Sequence, residues 1–163
     1  MEKWEKDVLA VLTSDARTPV SKIALMLGVT EEDAAEKIKS LEQRGLIVGY
    51  TAIVNLDSVE DDTVEALIEV KVTPQHRHGF DRIAQEVAEL PEVQNLYLMS
   101  GAYDLAVIVK GKSLKSVSRF VSERISTYEG VISTATHFIL KKYKVEGAMM
   151  QHTPETARIS VQP

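Results

Sequence analysis

The spacing of apolar residues along the chain changes at about residue 60, from a helical period to a strand period. In residues 1–45, apolar positions recur every three or four residues, which is typical of amphipathic helices. Three such segments follow one another, with apolar positions at Trp4, Val8, Val11 and Leu12, then Val20, Ile23, Ala24 and Leu27, then Ala34, Ile38 and Leu41. The pattern predicts three short helices.

The breaks between these segments carry residues that suit helix ends. Pro19 stands at the start of the second helix, and Gly28 after it can adopt the left-handed conformation without steric cost. Thr30 is a suitable cap for the third helix, and Gly45 ends it. A β-branched and aromatic run follows in residues 46–55 and fits one or two strands of a wing or linker. Together these signals predict a winged helix-turn-helix.

Beyond residue 63 the period becomes two, because Val64, Ala66, Ile68, Val70 and Val72 alternate with more polar positions. The later segments predict a helix over 80–90, strands over 93–99 and 103–110, a helix over 114–125 and a strand over 131–143. This order, βαββαβ, is that of a ferredoxin-like domain. The expected fold class is therefore α+β, with a winged helix-turn-helix before a ferredoxin-like domain.

An acidic, turn-like break at Asp57–Asp62 marks the expected domain boundary. The strand at 105–109 is apolar on both sides, whereas helices cover one sheet face only, so a partner sheet is expected on the other face and a dimer follows. The predicted divisions are a DNA-binding domain, a linker, a ligand-sensing and dimerisation domain and a tail, at residues 1–55, 56–62, 63–146 and 147–163.

Composition narrows the function classes. The chain has no cysteine, so it can form neither disulfides nor Cys-based zinc sites. It has no apolar run long enough to cross a membrane and opens with a charged segment, so a cytoplasmic location is expected. A net charge of -5 argues against non-specific coating of nucleic acid but leaves room for a local basic face.

Several motifs in a fixed order resemble those of the Lrp/AsnC family, the feast/famine regulators of bacteria and archaea. The resemblance covers about residues 2 to 144 and rests on a close version of D-x-x-x-L-x-x-L at Asp7–Leu12, Arg17, I-A-x-x-L-G-V-T at 23–30, L-E-x-R-G-L-I-x-G-Y-T-A at 41–52, L-P-E-V at 90–93, G-A-Y-D at 101–104 and G-V-x-x-T-x-T at 130–136. It implies a DNA-binding dimer, often assembled into octamers, with an amino acid or related small molecule bound between second domains. DNA geometry or oligomeric state would respond to that effector.

The candidate contacts to double-stranded DNA lie on and around the third helix. They are Arg17, Lys22, Thr30, Ala35, Lys37, Lys39, Ser40, Arg44 and Thr51. Glu31, Glu32, Asp33 and Glu36 oppose this role, since phosphates repel them, although they stabilise the start of the helix through its dipole. Many family members carry Ser, Pro and Arg where this chain has T-E-E-D-A-A-E-K. Residues 1–55 hold seven Lys and Arg against nine Asp and Glu, a net charge of -2.

The G-A-Y-D hairpin is the candidate effector site. An α-amino acid needs a carboxylate for its ammonium and backbone donors for its own carboxylate, which Asp104 and a glycine hairpin supply. On the residues alone, a plain hairpin with a surface Asp is the commoner outcome, whereas the resemblance favours a site. The expected effector residues are Met99, Ser100, Gly101, Ala102, Tyr103 and Asp104, with Thr134 and Thr136 matching the family's paired threonines.

Other chemistry receives little support from the residues. His76 and His78 flank Arg77 without a third ligand nearby, and are expected at the surface rather than on a metal. Asp104 and Glu129 do not form a recognisable catalytic pair. Neither a cofactor nor an enzymatic activity is expected.

Two alternatives to a DNA-binding regulator stay open. One is a ligand-binding oligomer whose DNA binding is weak or depends on a more basic partner chain. The other, less favoured, is a relative of haem-pathway decarboxylases that resemble this fold. There, His76, Arg77, His78 or His137 would have to hold tetrapyrrole carboxylates.

Overall fold

In the computed structural model, three helices build the first part of the chain where the apolar spacing predicts them. They are α1, Lys3–Ser14, α2, Val20–Leu27, and α3, Glu31–Gln43. The structure describes residues 1–55, 59, 63–74 and 79–150. The chain divides into two compact units, Met1–Val54 and Asn55–Pro163.

The apolar stripes of the three helices meet in one small core. Its fully buried side chains are Val8, Ile23, Ala24, Ala34 and Leu41. Two local signals are confirmed: Gly28 is left-handed with φ of 67°, and the Thr30 hydroxyl accepts a hydrogen bond from the Asp33 amide at 3.1 Å. The helix-turn-helix therefore has the turn and the cap that its sequence predicts.

Two polar contacts hold the start of α1 against α3. The Glu5 carboxylate forms a salt bridge with Arg44, and the Lys37 ammonium lies 4.1 Å from the centroid of the Trp4 ring. Glu5 is only 4% exposed, and its second oxygen accepts a 2.7 Å hydrogen bond from the Glu2 amide. Because the Arg44 guanidinium and the Glu2 amide donate to it, the pKa of Glu5 is lowered.

The wing strand predicted for residues 46–55 is wrong for the single chain. The structure forms no strand there, and Val48 is 96% exposed. Strand formation requires a neighbour that accepts and donates the backbone hydrogen bonds. None of the described residues 46–55 belongs to a strand of either sheet, so their β-propensity alone does not make a strand. The Tyr50 hydroxyl donates to Glu42 at 2.8 Å and ties the segment to α3.

The second unit is a four-stranded antiparallel sheet with the strand order β2-β3-β1-β4. Its elements are β1, Val64–Val72, α4, Asp81–Ala88, β2, Val93–Leu98, β3, Leu105–Gly111, α5, Leu114–Glu123, a 3₁₀ turn, Ile125–Thr127, and β4, Val131–Ile139. This is the predicted βαββαβ order.

The two helices cover one face of the sheet, and the core of the unit lies between the helices and that face. Ala66, Ile68, Val70 and Val72 of β1 all point into this core. The opposite, open face takes the alternate residues of β1 and of β3. On it Ala106 is 4% exposed and Ile108 is half-buried. The open face is thus partly apolar in a single chain, as its sequence predicts, and the partner sheet on it stays an expectation.

The C-terminal part of the unit differs from the sequence prediction. β4 ends at Ile139 rather than continuing to residue 143, and a hairpin follows it, β5, Lys144–Val145, and β6, Ala148–Met149. Met150 is buried, and its carbonyl accepts a hydrogen bond from Asn55. The ordered fold therefore continues beyond the expected boundary at 146. The expected linker at 56–62, apart from residue 59, and residues 151–163 lie outside the described residues.

The Glu5–Arg44 pair gives a prediction for pH dependence. A lowered folded-state pKa means that the unfolded chain binds more protons in acid, so stability is lost as pH falls from about 4.3 through the folded-state value. Glu5→Gln removes this contribution, and the variant should show a flatter loss of stability over that acidic window.

The same variant should also unfold at lower urea concentration at neutral pH, because the buried partner of Arg44 loses its negative charge. Urea midpoints measured across the acidic and neutral range check both points. Glu36→Gln, which removes an exposed carboxylate of α3, is the matched control. Equal losses of stability in the two variants at neutral pH would contradict the structural role of Glu5.

Candidate functional site

The outer face of α3, opposite its buried stripe, is the surface that a helix-turn-helix presents to a DNA groove. Helical spacing places Glu32, Ala35, Glu36, Lys39 and Gln43 on this outer face, and all five are exposed. The outer face carries two carboxylates and one ammonium. Its charge is therefore slightly negative, and Lys39 is its cation.

A second stripe of α3, the α1 flank, consists of Asp33, Lys37, Ser40 and Arg44 and faces the start of α1. Lys37 and Ser40 are half-buried here. The two cations of the α1 flank have internal partners, because Lys37 lies over Trp4 and Arg44 is paired with Glu5. The predicted DNA roles of Lys37, Ser40 and Arg44 stay predictions.

The other candidate DNA contacts surround α2. Arg17 and Lys22 are exposed at the turn before α2 and in its first turn. Asp15 orders this turn: its carboxylate accepts from the Arg17 amide at 2.9 Å, and its carbonyl accepts from the Thr18 hydroxyl at 2.8 Å. Thr30 and Thr51 are also exposed, although Thr51 lies in the segment without a strand.

The predicted effector loop is a six-residue connection between β2 and β3. The amide of Met99 donates to the carbonyl of Asp104 at 2.7 Å and closes the loop. Met99, Ser100, Gly101 and Ala102 are exposed, and Tyr103 and Asp104 are half-buried. The flanking strands are shorter than predicted because residues 99 and 103–104 belong to this loop.

Glycine at position 101 is not required by the fold of one chain. Gly101 does not have a positive φ, and a Cβ at this position would have no atom within 4 Å. The small residue instead leaves the backbone of the loop open to approach from outside.

One oxygen of the Asp104 carboxylate makes a hydrogen bond within the fold, and the other is available to a ligand. Its Oδ2 accepts a 2.8 Å hydrogen bond from the Val72 amide, and its own amide donates to the Val70 carbonyl at 3.1 Å. The side chain is therefore held against the end of β1. A carboxylate has about four acceptor positions, so the anchored group can still accept hydrogen bonds from an ammonium.

Thr134 and Thr136 lie at the same end of the sheet as the loop but across β1. They pair with Val70 and Ile68 and so lie on the helix-covered face. Two strand spacings, about 10 Å, separate β4 from β3. Thr134 lies near the 3₁₀ turn, with 3.4 Å between its hydroxyl and that of Ser126. One chain does not bring the threonines into contact with the loop.

Sequence reasoning missed the roles of Trp4 and Glu5 in holding α3. The apolar spacing predicts Trp4 in the stripe of α1, and Glu5 is part of the charged opening segment, for which the sequence predicts no partner. One local signal was present, since Glu2 and Glu5 have the three-residue spacing of a capping box, which the structure forms. The long-range partners Lys37 and Arg44 left no local signal.

Within the residues that the structure describes, no cluster of three or more His, Asp or Glu side chains could hold a metal ion. His76, Arg77 and His78 lie outside those residues. None of the described helices combines the length and apolar character needed to cross a membrane.

Comparison with known proteins identifies relatives for both units. The model of the Lrp/AsnC ligand binding domain matches residues 65–149. The HTH-type transcriptional regulator YugG of Bacillus subtilis is 40% identical over 160 residues, which cover 98% of this chain and 96% of that protein.

Solved structures agree with the fold. AsnC of E. coli superposes with a TM-score of 0.64 at 21% identity, covering 89% of this chain and 95% of that one. A transcriptional regulator of Neisseria meningitidis, solved as its L-Met complex, gives a TM-score of 0.67 at 22% identity, covering 89% and 93%.

These relatives are transcriptional regulators and not enzymes, which sets the haem-pathway alternative aside. A helical helix-turn-helix unit followed by a βαββαβ ligand-binding domain is the arrangement of AsnC. By its sequence and by its fold, this chain belongs to the Lrp/AsnC family of helix-turn-helix transcriptional regulators.

Proposed function

We propose that this regulator binds DNA as a dimer or higher oligomer and senses an amino acid at the loop Met99–Asp104. The observation that carries the effector site is Asp104, whose carboxylate is anchored to β1 by the Val72 amide beside an exposed glycine loop. The L-Met complex of the Neisseria meningitidis relative supports an amino acid as the class of ligand.

Assembly is proposed to occur through the open face of the sheet. Ile108 is half-buried on this face, and Tyr97, the cross-strand neighbour of Ala106, is 52% exposed there. A second copy would remove this apolar surface from water. Thr134 and Thr136 lie on the helix-covered face, so pairing of the open faces does not bring them to a partner's loop. In an octamer, contacts between dimers would have to bring them to the effector site of another chain. The threonines lie about 10 Å from the loop of their own chain.

The proposed coupling is a linkage between the effector and the assembly. An effector that binds one oligomeric geometry more tightly shifts the population toward it. The spacing of paired α3 helices then changes, and with it the affinity for sites on DNA.

For DNA contact, we assign different roles to the cations of the first unit. Arg17, Lys22 and Lys39 are exposed and contact phosphates. Lys37 and Arg44 hold α3 against α1 through Trp4 and Glu5. Thr30, Ala35, Ser40 and Thr51 remain proposed as neighbouring contacts.

The two glutamates of the outer face fit base recognition better than phosphate contact. A carboxylate accepts a hydrogen bond from the amino group of cytosine in the major groove. Glu32 and Glu36, one helical turn apart, would then select cytosines, while the cations around them supply affinity. The negative charge of α3 thereby becomes a source of specificity.

Lys39→Ala and Lys37→Ala should separate phosphate contact from helix packing. Lys39→Ala is expected to reduce the slope of log affinity against log salt by about 1 for each chain bound. Lys37→Ala should leave that slope unchanged but lower the free energy of unfolding by about 0.5–1 kcal/mol, because it loses the Trp4 contact. Gel shifts over a salt series and urea unfolding measure the two effects. The assignment is wrong if Lys37→Ala reduces the slope as much as Lys39→Ala does.

Glu36→Gln should change the preferred DNA sequence. Glutamine pairs with the N6 and N7 positions of adenine, whereas glutamate accepts from cytosine. Selection of bound sites from a random oligonucleotide pool should therefore replace a cytosine by an adenine at one position of each half-site. The control is Asp7→Asn, which alters an exposed carboxylate of α1 away from the outer face. An unchanged preference in Glu36→Gln would show that this side chain does not read a base.

Asp104→Asn should weaken effector binding by about tenfold or more, because a charge-assisted hydrogen bond to the ammonium is lost. Asparagine retains an oxygen for the Val72 amide, so the fold should survive. Calorimetric titration with L-methionine, and with any amino acid that raises the melting temperature of the wild type, measures the effect. Asp81→Asn, on the exposed start of α4, is the control. Wild-type affinity in Asp104→Asn would remove Asp104 from the site.

The slightly negative outer face also favours a second candidate function, DNA binding that depends on a more basic partner chain. In that case the chain by itself would give no salt-sensitive complex in the gel shifts above. Addition of a co-purifying basic relative would restore the complex. A salt-sensitive, sequence-dependent complex of the purified chain excludes this candidate.

A further inference from the structure

A groove lies on the helix-covered side of the second unit, between the end of β3 and the start of α5. Its volume is about 300 Å³, and Glu92, Val109, Gly111, Lys112, Val117 and Phe120 are among its lining residues. This volume is at the lower end for small-molecule sites. The groove starts where β3 ends, whereas the effector loop precedes β3. Seven residues of strand therefore place about 20 Å between the two regions.

Glu92, which lines the groove, has a buried carboxylate oxygen without a partner among the described residues. Oε2 of Glu92 has less than 1 Å² of accessible surface and no hydrogen bond among the described residues, although the residue as a whole is half-buried. Buried polar atoms are nearly always hydrogen-bonded, and an orphaned one lowers stability. A ligand with an N–H donor would satisfy this oxygen.

Positive potential lies at the other side of the groove. Lys112 is exposed there, and α5 begins two residues later. The N-terminus of a helix favours a nearby negative charge. The hydroxyl of Ser116 is not available as a donor, because it already donates to the Ser113 carbonyl at 2.8 Å. A ligand carboxylate would therefore be held by Lys112 and by the first turn of α5.

The floor of the groove is apolar and its shape depends on a glycine. Val109, Val117 and Phe120 form the floor. A Cβ at Gly111 would lie 2.8 Å from Cγ2 of Val117, so only glycine lets β3 end this close to α5. The surface suits an aliphatic side chain of a few carbon atoms.

We propose that this groove is a second small-molecule site, which binds a zwitterionic α-amino acid with an apolar side chain. The ligand ammonium donates to Glu92, its carboxylate faces Lys112 and the start of α5, and its side chain packs on Val117 and Phe120. The site is independent of the loop Met99–Asp104 and does not require that loop to bind an effector.

Methyl NMR of the full chain tests the proposal, with L-leucine as the first probe and the other apolar L-amino acids in turn. The methyl signals of Val109 and Val117 report on the groove, and that of Met99 reports on the effector loop. Saturable shifts of the two valines are expected at millimolar ligand. Isopentylamine, which lacks the carboxylate, and isocaproate, which lacks the ammonium, should each bind at least about tenfold more weakly.

Variants assign the polar contacts. Glu92→Gln should weaken the ligand-induced shifts of Val109 and Val117 by about tenfold or more and leave any shift of Met99 intact. A methyl spectrum like that of the wild type without ligand shows that the variant is folded. Lys112→Glu, at an exposed position, should weaken L-leucine but not isopentylamine. Lys115→Ala, on α5 outside the groove lining, is the matched control.

Asp104→Asn separates this proposal from the effector site. It should abolish or weaken a Met99 response and leave the valine response unchanged. The second site is refuted if no apolar amino acid shifts Val109 and Val117, if Glu92→Gln binds like the wild type, or if Asp104→Asn abolishes the valine shifts.

Discussion

The second unit depends on the burial of β1. This strand lies between β3 and β4 and pairs with both, and its residues Ala66, Ile68, Val70 and Val72 are fully buried against the helices. A slip of one residue would turn these side chains to the open face, so burial determines the register. The same strand end anchors the loop Met99–Asp104, since the Val72 amide donates to Asp104. The packing of β1 therefore also positions the carboxylate of the proposed effector site.

In the first unit, charge is divided between two surfaces of one helix. The α1 flank places its cations Lys37 and Arg44 on Trp4 and Glu5, whereas the outer face retains Lys39 with two glutamates. The net charge of α3 therefore does not show that its cations are divided unequally between the two surfaces. Cations with internal partners stabilise the angle of α3, and fewer of them remain for phosphates. This division leaves the outer face of α3 with one cation and two carboxylates.

The second unit has polar groups at both ends of β3 that its fold does not fully use. At one end the loop Met99–Asp104 presents an anchored carboxylate. At the other end Glu92, which has an oxygen without a hydrogen bond among the described residues, lines the same groove as Lys112. An open backbone adjoins the carboxylate of Asp104, and an apolar surface adjoins that of Glu92. Each carboxylate suits a ligand that carries an ammonium, and the two proposed sites differ in where the carboxylate of the ligand is held.

Local patterns determined the elements. The change of period near residue 60, Gly28 and the Thr30 cap predicted the helices and strands, because helix ends and face alternation depend on neighbouring residues. Only the tertiary structure decided that Lys37, Arg44 and Asp104 have partners distant in sequence. It also decided that Oε2 of Glu92 has no hydrogen bond among the described residues. It also left residues 46–55 without a strand. β-propensity is a local property, whereas a strand exists only where another segment completes its hydrogen bonds.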